Sequence, residues 1–149
     1  MEIVAYTKER IPDVLDFERR LREEENFWGW EIDDAYVESV TRSFDRPAFA
    51  SSVSLLAYVD GRVVGRIDSS MIHSHFDGSV KAYLDWICVV KSARHKGVAQ
   101  ALMSALRETL KARGVSVLIG LIAANEDAQR FYRALPGALI RDEGVWIDC

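Results

Sequence analysis

The sequence is poor in cysteine and proline, with two and three residues among 149, and contains no long hydrophobic run. Cys88 lies in an apolar stretch and Cys149 ends the chain, so the cysteine spacing indicates neither a disulfide framework nor a zinc site. The first ten residues mix charged with apolar positions, unlike the apolar segment of a signal peptide. We therefore expect a cytoplasmic protein that does not bind membranes.

An excess of positive charge is also missing. The net charge is −4 and the sequence pI is about 5.4, which argues against a general attraction for nucleic acid. The basic residues between positions 91 and 96 are the exception. Hydrophobic residues make up 49% and charged residues 28%, a composition typical of globular proteins. Together with the length, this composition predicts a single domain over residues 1–149.

Hydrophobic periodicity predicts seven strands and four helices in a defined order. The order is a strand, two helices, three strands, a helix, a strand, a helix and two strands, which indicates an α+β (mixed α/β) domain around one sheet. Asp60 and Gly61 predict a tight hairpin turn. Helices are expected at about 12–25, 33–44, 97–113 and 125–135, and strands at about 2–7, 54–60, 62–72, 81–90, 116–124, 138–141 and 145–148.

A short basic turn, Arg94-His95-Lys96-Gly97-Val98-Ala99, joins a predicted buried strand to a predicted helix. The first N–H groups of a helix have no partner within the helix, and the helix dipole is positive at that end. Small residues at 97 and 99 let an anion approach the backbone, and the basic side chains add positive charge. The turn therefore predicts a site for a pyrophosphate.

Neither the P-loop pattern nor the dinucleotide-binding glycine pattern occurs here. The turn instead matches R/Q-x-x-G-x-G/A, and residues 125–132, NEDAQRFY, match N-x-x-A-x-x-F-Y after the next strand. Both motifs, in this order, resemble the GNAT superfamily of acyl-CoA-dependent N-acetyltransferases. The family usually has glycine four residues after the tyrosine, whereas this chain has Pro136 there, followed by Gly137.

The resemblance implies a mostly antiparallel sheet of six to seven strands with one splayed pair, flanked by about four helices. It also implies acetyl-CoA as cofactor. Pantetheine would contact the splayed strand, the pyrophosphate would lie on the basic turn, and the start of the last helix would lie near the cofactor. The implied cofactor residues are Ile87, Cys88, Val89, Arg94, His95, Lys96, Gly97, Val98, Ala99, Asn125 and Tyr132.

Two residues are candidates for acid–base catalysis. Tyr132 matches the tyrosine that in this family lies near the thioester sulfur and protonates the departing thiolate; the alternative is a core side chain beside Phe131. Strand alternation places Asp85 on the face of Ile87 and Val89, where its carboxylate would accept a proton from the amine, directly or through water. YLDWICV also resembles the Y-L-E-D-x-x-V stretch of polyamine acetyltransferases. A purely structural carboxylate remains the alternative.

Several further features are less specific. Trp28, Trp30 and Glu31 combine aromatic faces with negative charge, which suits a cationic acceptor, although tryptophans closing the core would show the same pattern. His73, His75 and Asp77 alternate as metal ligands can, but without an identifiable fourth ligand we expect a polar loop and no metal.

The sequence thus predicts direct transfer of an acetyl group from acetyl-CoA to a primary amine of a small cationic metabolite, without a covalent enzyme intermediate. A backbone N–H near Val89 would polarise the thioester carbonyl, and Cys88, expected on the strand face opposite Asp85, would not be a nucleophile. The alternatives are a non-catalytic acyl-CoA-binding module and an enzyme acting on protein amines. The resemblance also allows a homodimer.

Overall fold

The computed structural model of the chain describes residues 1–25, 31–141, 144, 145, 147 and 148. The contacts divide the chain into two compact units, Met1–Ile119 and Gly120–Cys149, which are described separately below. The strands are β1 Glu2–Ala5, β2 Val53–Val59, β3 Arg62–His73, β4 Val80–Val89 and β5 Leu118–Gly120, and the helices are α1 Ile11–Glu25, α2 Asp34–Ser43, α3 Val98–Ala112 and α4 Glu126–Arg133.

One sheet organises the first unit, with the strands in the order β1-β2-β3-β4-β5. The three pairings from β1 to β4 are antiparallel. Asp60 and Gly61 both have positive φ, +49° and +75°, and close the predicted two-residue hairpin between β2 and β3. None of the helices in the described ranges is long and apolar enough to cross a bilayer.

The two longest helices pack on opposite faces of the sheet. Arg66 on β3 contacts Glu18 of α1, and Phe17 of α1 contacts Trp86 of β4 ring to ring, with centroids 6.4 Å apart. The residue before Arg66 on β3, Gly65, faces α3, whose Val98 and Leu102 lie against its backbone. Successive residues of a strand point to opposite faces, so this alternation distributes α1 and α3 between the two layers.

The structure describes five strands, fewer than the six to seven expected. The predicted strand at 138–141 has no strand conformation, and Leu139 is 80% exposed. The predicted strand at 116–124 is reduced to the three residues of β5. An apolar run favours a strand, but a strand also needs a hydrogen-bonded neighbour along its whole length, which the run does not supply. Part of the predicted last strand lies outside the described residues, and the splayed pair stays a prediction.

The helix boundaries agree closely with the predicted ones. Asp33 caps α2, its Oδ1 accepting a hydrogen bond from the N–H of Tyr36 at 2.8 Å. Gly114, with φ of +76°, ends α3, as predicted. Asn125 caps α4 by accepting from the N–H of Ala128 at 2.9 Å. The spacing N-x-x-A therefore has a direct structural meaning, because it joins a cap residue to the third residue of the helix.

We predict that Gly65→Ala destabilises the fold by about 1–3 kcal/mol, the usual cost of overpacking a core. A β-carbon at this position would lie 2.9 Å from Val98 Cγ1 and 3.0 Å from Leu102 Cδ1. Urea unfolding measures the change. The control is a double-mutant cycle with Leu102→Ala, which removes one of the crowding groups: the double variant should lose less stability than the sum of the two single variants. Strict additivity would contradict the packing described here.

Candidate functional site

A cavity of about 580 Å³ opens on the α1 face of the sheet within the first unit. Three carboxylates line it, those of Glu18, Asp68 and Asp85, together with the guanidinium of Arg66. Aromatic side chains also line it, among them those of Tyr6, Tyr36 and Trp86. The four charged groups have an excess of two negative charges when all are ionised, so the cavity suits a cationic occupant that has apolar portions.

The floor of the cavity is an ion cluster around Arg66. Its Nε lies 2.7 Å from Asp68 Oδ2, and its Nη1 lies 3.2 Å from Glu18 Oε1. The three side chains are only 17%, 13% and 8% exposed, respectively. The guanidinium also stacks over two rings, at 4.7 Å from the centroid of Tyr6 and 5.7 Å from that of Trp86. The positive charge of Arg66 therefore balances one of the two negative charges on the cavity floor. Its guanidinium also covers a face of each of these two rings.

Glu18 also joins α2 to the cluster. The hydroxyl of Tyr36 donates to its two carboxylate oxygens, at 2.8 and 3.0 Å. Burial raises the pKa of Glu18 above its ordinary value, while the hydrogen bond from Tyr36 and the charge of Arg66 oppose this shift. Burial likewise raises the pKa of Tyr6 to about 12, so its phenol stays neutral at ordinary pH.

Asp85 lies at the exposed side of the same cavity, where the pairing of β3 with β4 is irregular. Asp68 pairs with Trp86 and Ser69 pairs with Leu84, so Asp85 is an extra residue in β4, a β-bulge. The hydroxyl of Ser70 donates a hydrogen bond to Asp85 Oδ2. Partial burial raises the pKa of Asp85, and the charge of Asp68 adds to the shift, whereas the Ser70 bond opposes it.

The bulge overturns the predicted strand faces. Asp85 and Trp86, although consecutive, both line the cavity. Ile87 and Val89 instead pair with Ile67 and Gly65, on the α3 face. The expectation that Asp85 shares a face with Ile87 and Val89 is therefore wrong, because simple alternation does not survive an inserted residue.

Cys88 was expected opposite Asp85, and this too is wrong. It pairs with Arg66, whose side chain lies on the cavity side of the sheet. Burial raises the pKa of its thiol to about 11, an effect that the nearby charge of Arg94 only partly offsets. The thiol is therefore protonated at neutral pH, and its burial, rather than its strand face, disfavours a nucleophilic role.

The backbone of β4 has two different edges near its end. The N–H of Val90 donates to the carbonyl of Val64 at 3.0 Å, which makes this a hydrogen-bonded pair with β3. In an antiparallel ladder such pairs alternate with non-bonded ones, so Cys88 bonds towards β3. The N–H groups of Ile87 and Val89 then point towards the other edge of β4. Their orientation fits a chain-like ligand that pairs with the strand.

After β4, a 3-10 turn at Lys91–Ala93 leads into the basic turn, which continues directly into α3. His95 has φ of +59° and Gly97 has φ of +80°. The first backbone bond of the helix runs from Ala101 N–H to Gly97 O at 3.0 Å, so the preceding N–H groups, from Val98 to Gln100, are directed out of the helix end. Space around the Gly97 Cα and the exposed side chains of His95 and Lys96 complete an arrangement that fits a pyrophosphate.

Arg94, however, is already bound within the protein. Its Nε donates to the carbonyl of Val89 at 3.1 Å, and its Nη2 lies 2.6 Å from Glu25 Oε1. Lys96 Nζ donates to the carbonyl of Ser92 at 2.9 Å but remains exposed. The donors that point outward from this turn are therefore mainly backbone N–H groups.

The remaining predicted residues are in other places. Asn125 and Tyr132 belong to the second unit, where the ring of Tyr132 contacts that of Phe131 edge to face, with centroids 5.2 Å apart. Trp28 and Trp30 lie outside the described residues. Glu31, which is described, is exposed ahead of α2 and is not among the cavity residues. Asp77 accepts a hydrogen bond from the N–H of Ser79 within the β3–β4 turn.

Sequence reasoning missed Glu18, Arg66, Asp68 and Tyr36. Helical periodicity offered one signal for Glu18, because it lies between Phe17 and Leu21 on a face that is otherwise apolar. The alternation RVVGRID gave a similar signal for Arg66 and Asp68, two charges on one strand face. Neither pattern shows that these residues meet, because their contact depends on how α1 packs on the sheet.

A model of the acetyltransferase (GNAT) family matches residues 4–135. The chain belongs to the GNAT family. The cofactor of this family is acetyl-CoA, as predicted, and the residues that fit it here are the outer edge of β4 and the turn before α3. The comparison with curated protein sequences gave no significant match.

Solved structures share the fold at low sequence identity. An aminoglycoside acetyltransferase from an uncultured soil metagenomic sample, in complex with trehalose, superposes with a TM-score of 0.83 at 15% identity, covering 99% of this chain and 95% of that one. AAC(6')-Iy in complex with a bisubstrate analogue, CoA-S-monomethyl-acetylneamine, gives 0.77 at 21%, covering 99% and 97%. The ribosomal-protein-alanine N-acetyltransferase from Brucella melitensis gives 0.74 at 21%, covering 100% and 99%.

We predict that Ser70→Ala raises the pKa of Asp85 further, because it removes the hydrogen bond that stabilises the carboxylate. Carbon-13 NMR titration of the aspartate carboxyl groups measures this pKa without any substrate. The matched control is Ser69→Ala, because the Ser69 hydroxyl donates to the backbone carbonyl of Val53 and not to Asp85. An Asp85 pKa that is equal in the wild type and in Ser70→Ala would contradict the contact.

Proposed function

We propose that this GNAT protein transfers the acetyl group of acetyl-CoA directly to a primary amine of a small cationic molecule. The main support for a cationic acceptor is the cavity in the first unit. Its lining contains the carboxylates of residues 18, 68 and 85 and the guanidinium of Arg66, so negative charge is in excess. The carboxylate of Asp85 is the most exposed of the three and is not part of the Arg66 cluster. It is therefore the group available to an incoming ammonium.

Cofactor binding would use the end of β4 and the turn that follows it. When bound, acetyl-CoA supplies an acetyl group activated as a thioester. The backbone N–H groups of Ile87 and Val89 point to the edge of β4 away from β3 and would pair with the pantetheine chain. The N–H groups at the start of α3, with His95 and Lys96, would hold the pyrophosphate. A backbone N–H near Val89 would stabilise negative charge developing on the carbonyl oxygen.

Proton transfers complete the proposed reaction: the ammonium loses one proton before attack and a second from the tetrahedral intermediate, and this second proton, through water, replaces the one that the phenol gives to the thiolate. Asp85 would accept a proton from the acceptor's ammonium, directly or through water, which frees the nitrogen lone pair for attack. Partial burial raises the pKa of this carboxyl, so its carboxylate is a stronger base than an aspartate of ordinary pKa. The phenol of Tyr132, on α4, would donate a proton to the departing thiolate. A phenol is a suitable donor because its ordinary pKa of about 10 keeps it protonated at neutral pH.

The charge of the cavity and the names of the structural relatives support this acceptor class. Several of these are aminoglycoside acetyltransferases, and one acts on a ribosomal protein, according to their names. Our proposal favours a small molecule because the cavity is concave, aromatic and acidic in its own right. We also propose that residues 1–149 act as one N-acetyltransferase domain, since the family match extends across both compact units.

We expect turnover with at least one member of a panel containing an aminoglycoside, a polyamine and a peptide with a free N-terminus. Release of the CoA thiol is the measurement. Tyr132→Phe should lower kcat by about 10²–10⁴-fold, the usual contribution of a positioned acid. Phe131→Leu, which keeps the phenol, is the matched control. Binding of CoA without turnover of any amine would instead support a non-catalytic module, and turnover of the peptide alone would support a protein substrate.

Asp85→Asn should remove the acidic limb of the pH profile of kcat/KM. In the wild type, activity should fall as the pH drops through the pKa of Asp85, which lies above the ordinary aspartate value, because the protonated acid cannot accept a proton. The control is Asp77→Asn, a carboxylate in the β3–β4 turn whose own pKa is lowered to about 2 by hydrogen bonds from Ser79. An acidic limb that survives in Asp85→Asn would exclude Asp85 as the base.

A further inference from the structure

We infer that Glu24 and Glu25, at the end of α1, position the turn at residues 91–97 and thereby determine how tightly the protein binds CoA. This inference rests on the proposed use of that turn for the pyrophosphate. It assigns a function to an acidic helix end that, in the sequence, looks like an ordinary solvated terminus.

Glu24 holds the first part of the turn with both carboxylate oxygens. Its Oε2 accepts a hydrogen bond from the backbone N–H of Ser92 at 3.1 Å, and its Oε1 accepts one from the Ser92 hydroxyl at 3.0 Å. Because one bond goes to the backbone and the other to the side chain, the contact fixes both the position and the orientation of this residue.

Glu25 holds the second part through Arg94. The two side chains form an ion pair at 2.6 Å, and they are 19% and 30% exposed. Arg94 in turn donates to the carbonyl of Val89, the last residue of β4. The guanidinium of Arg94 therefore connects the end of α1 to the end of β4, close to the point where the chain leaves the sheet. Its charge is bound within the protein before any ligand arrives.

This anchoring matters because the turn has an unfavourable backbone. His95 has a left-handed φ of +59°, a conformation that L-residues other than glycine adopt only at an energetic cost, and Gly97 has φ of +80°. If the turn became ordered only on binding, the conformational entropy lost would weaken the net binding free energy. Contacts that hold it in advance remove this cost.

The same contacts allow positioning to be separated from electrostatics. Two carboxylates close to a pyrophosphate site repel the ligand, so on charge alone their removal should strengthen CoA binding. If the two carboxylates act by positioning the turn, their removal should instead weaken CoA binding. Glu23 provides the matched control, since it precedes them on the same helix end and is exposed. Glu23→Ala removes the same charge near the same place.

The experiment is calorimetric titration of the full chain with CoA. We expect Glu24→Ala and Glu25→Ala each to raise the Kd about 3- to 10-fold, whereas Glu23→Ala leaves it unchanged or slightly lowers it. Glu24→Gln, which keeps one acceptor oxygen, should fall between wild type and Glu24→Ala. In steady-state assays the KM for acetyl-CoA should rise, with kcat and the KM of the amine unchanged. Urea midpoints report any loss of stability.

Two results would overturn the inference. The first is a lower Kd in Glu24→Ala, which is the purely electrostatic outcome. The second is additivity of the changes in CoA binding free energy in a double-mutant cycle of Glu24→Ala with Ser92→Ala. Because the two residues are partners, the double variant should lose their shared interaction only once. Since Glu24 is at the surface, its variant should fold even if Glu25→Ala does not. A wild-type chain that binds no CoA would overturn the proposed function as well, whereas normal CoA binding unaffected by either glutamate would overturn only this inference.

Discussion

The buried ion cluster around Arg66 is the interaction on which the candidate acceptor site depends. Burying a guanidinium is costly unless its charge is paired, and here Asp68 on β3 and Glu18 on α1 both pair with it and accept hydrogen bonds from its terminal nitrogens. The cluster therefore requires α1 to lie across this face of the sheet. Glu18 in turn accepts hydrogen bonds from Tyr36, so the position of α2 depends on the same charge. A cavity with an acidic lining results from these constraints.

The β-bulge at Asp85 shows where reasoning from the sequence reached its limit. The stretch around Asp85 was correctly predicted as a strand, but the face assigned to Asp85 was wrong. Alternation assumes an uninterrupted ladder, and whether an extra residue is inserted depends on the partner strand. The letters YLDWICV alone contain no signal for that pairing.

Local features of the fold were more accessible. The turn before α3 and the cap of α4 are short segments whose residues act on their own backbone, so their motifs predict them directly. The cavity, by contrast, joins residues far apart in the chain, such as Glu18 and Asp85, and no local pattern reports that distance. The strands near the C-terminus were overpredicted for a related reason, since apolar residues there, including Leu139, are exposed rather than paired.

Helix α2 is attached to this fold in an unusual way. Each of its ten residues, all of them described, is at least partly exposed, and a main link to the rest of the first unit is the hydrogen-bonded phenol of Tyr36. A cavity wall held by polar side chains, rather than by apolar burial, can exchange most of its surface residues at little cost in stability. Under the proposed function, substitutions in this segment would alter the acceptor site and leave the sheet and the turn before α3 unchanged.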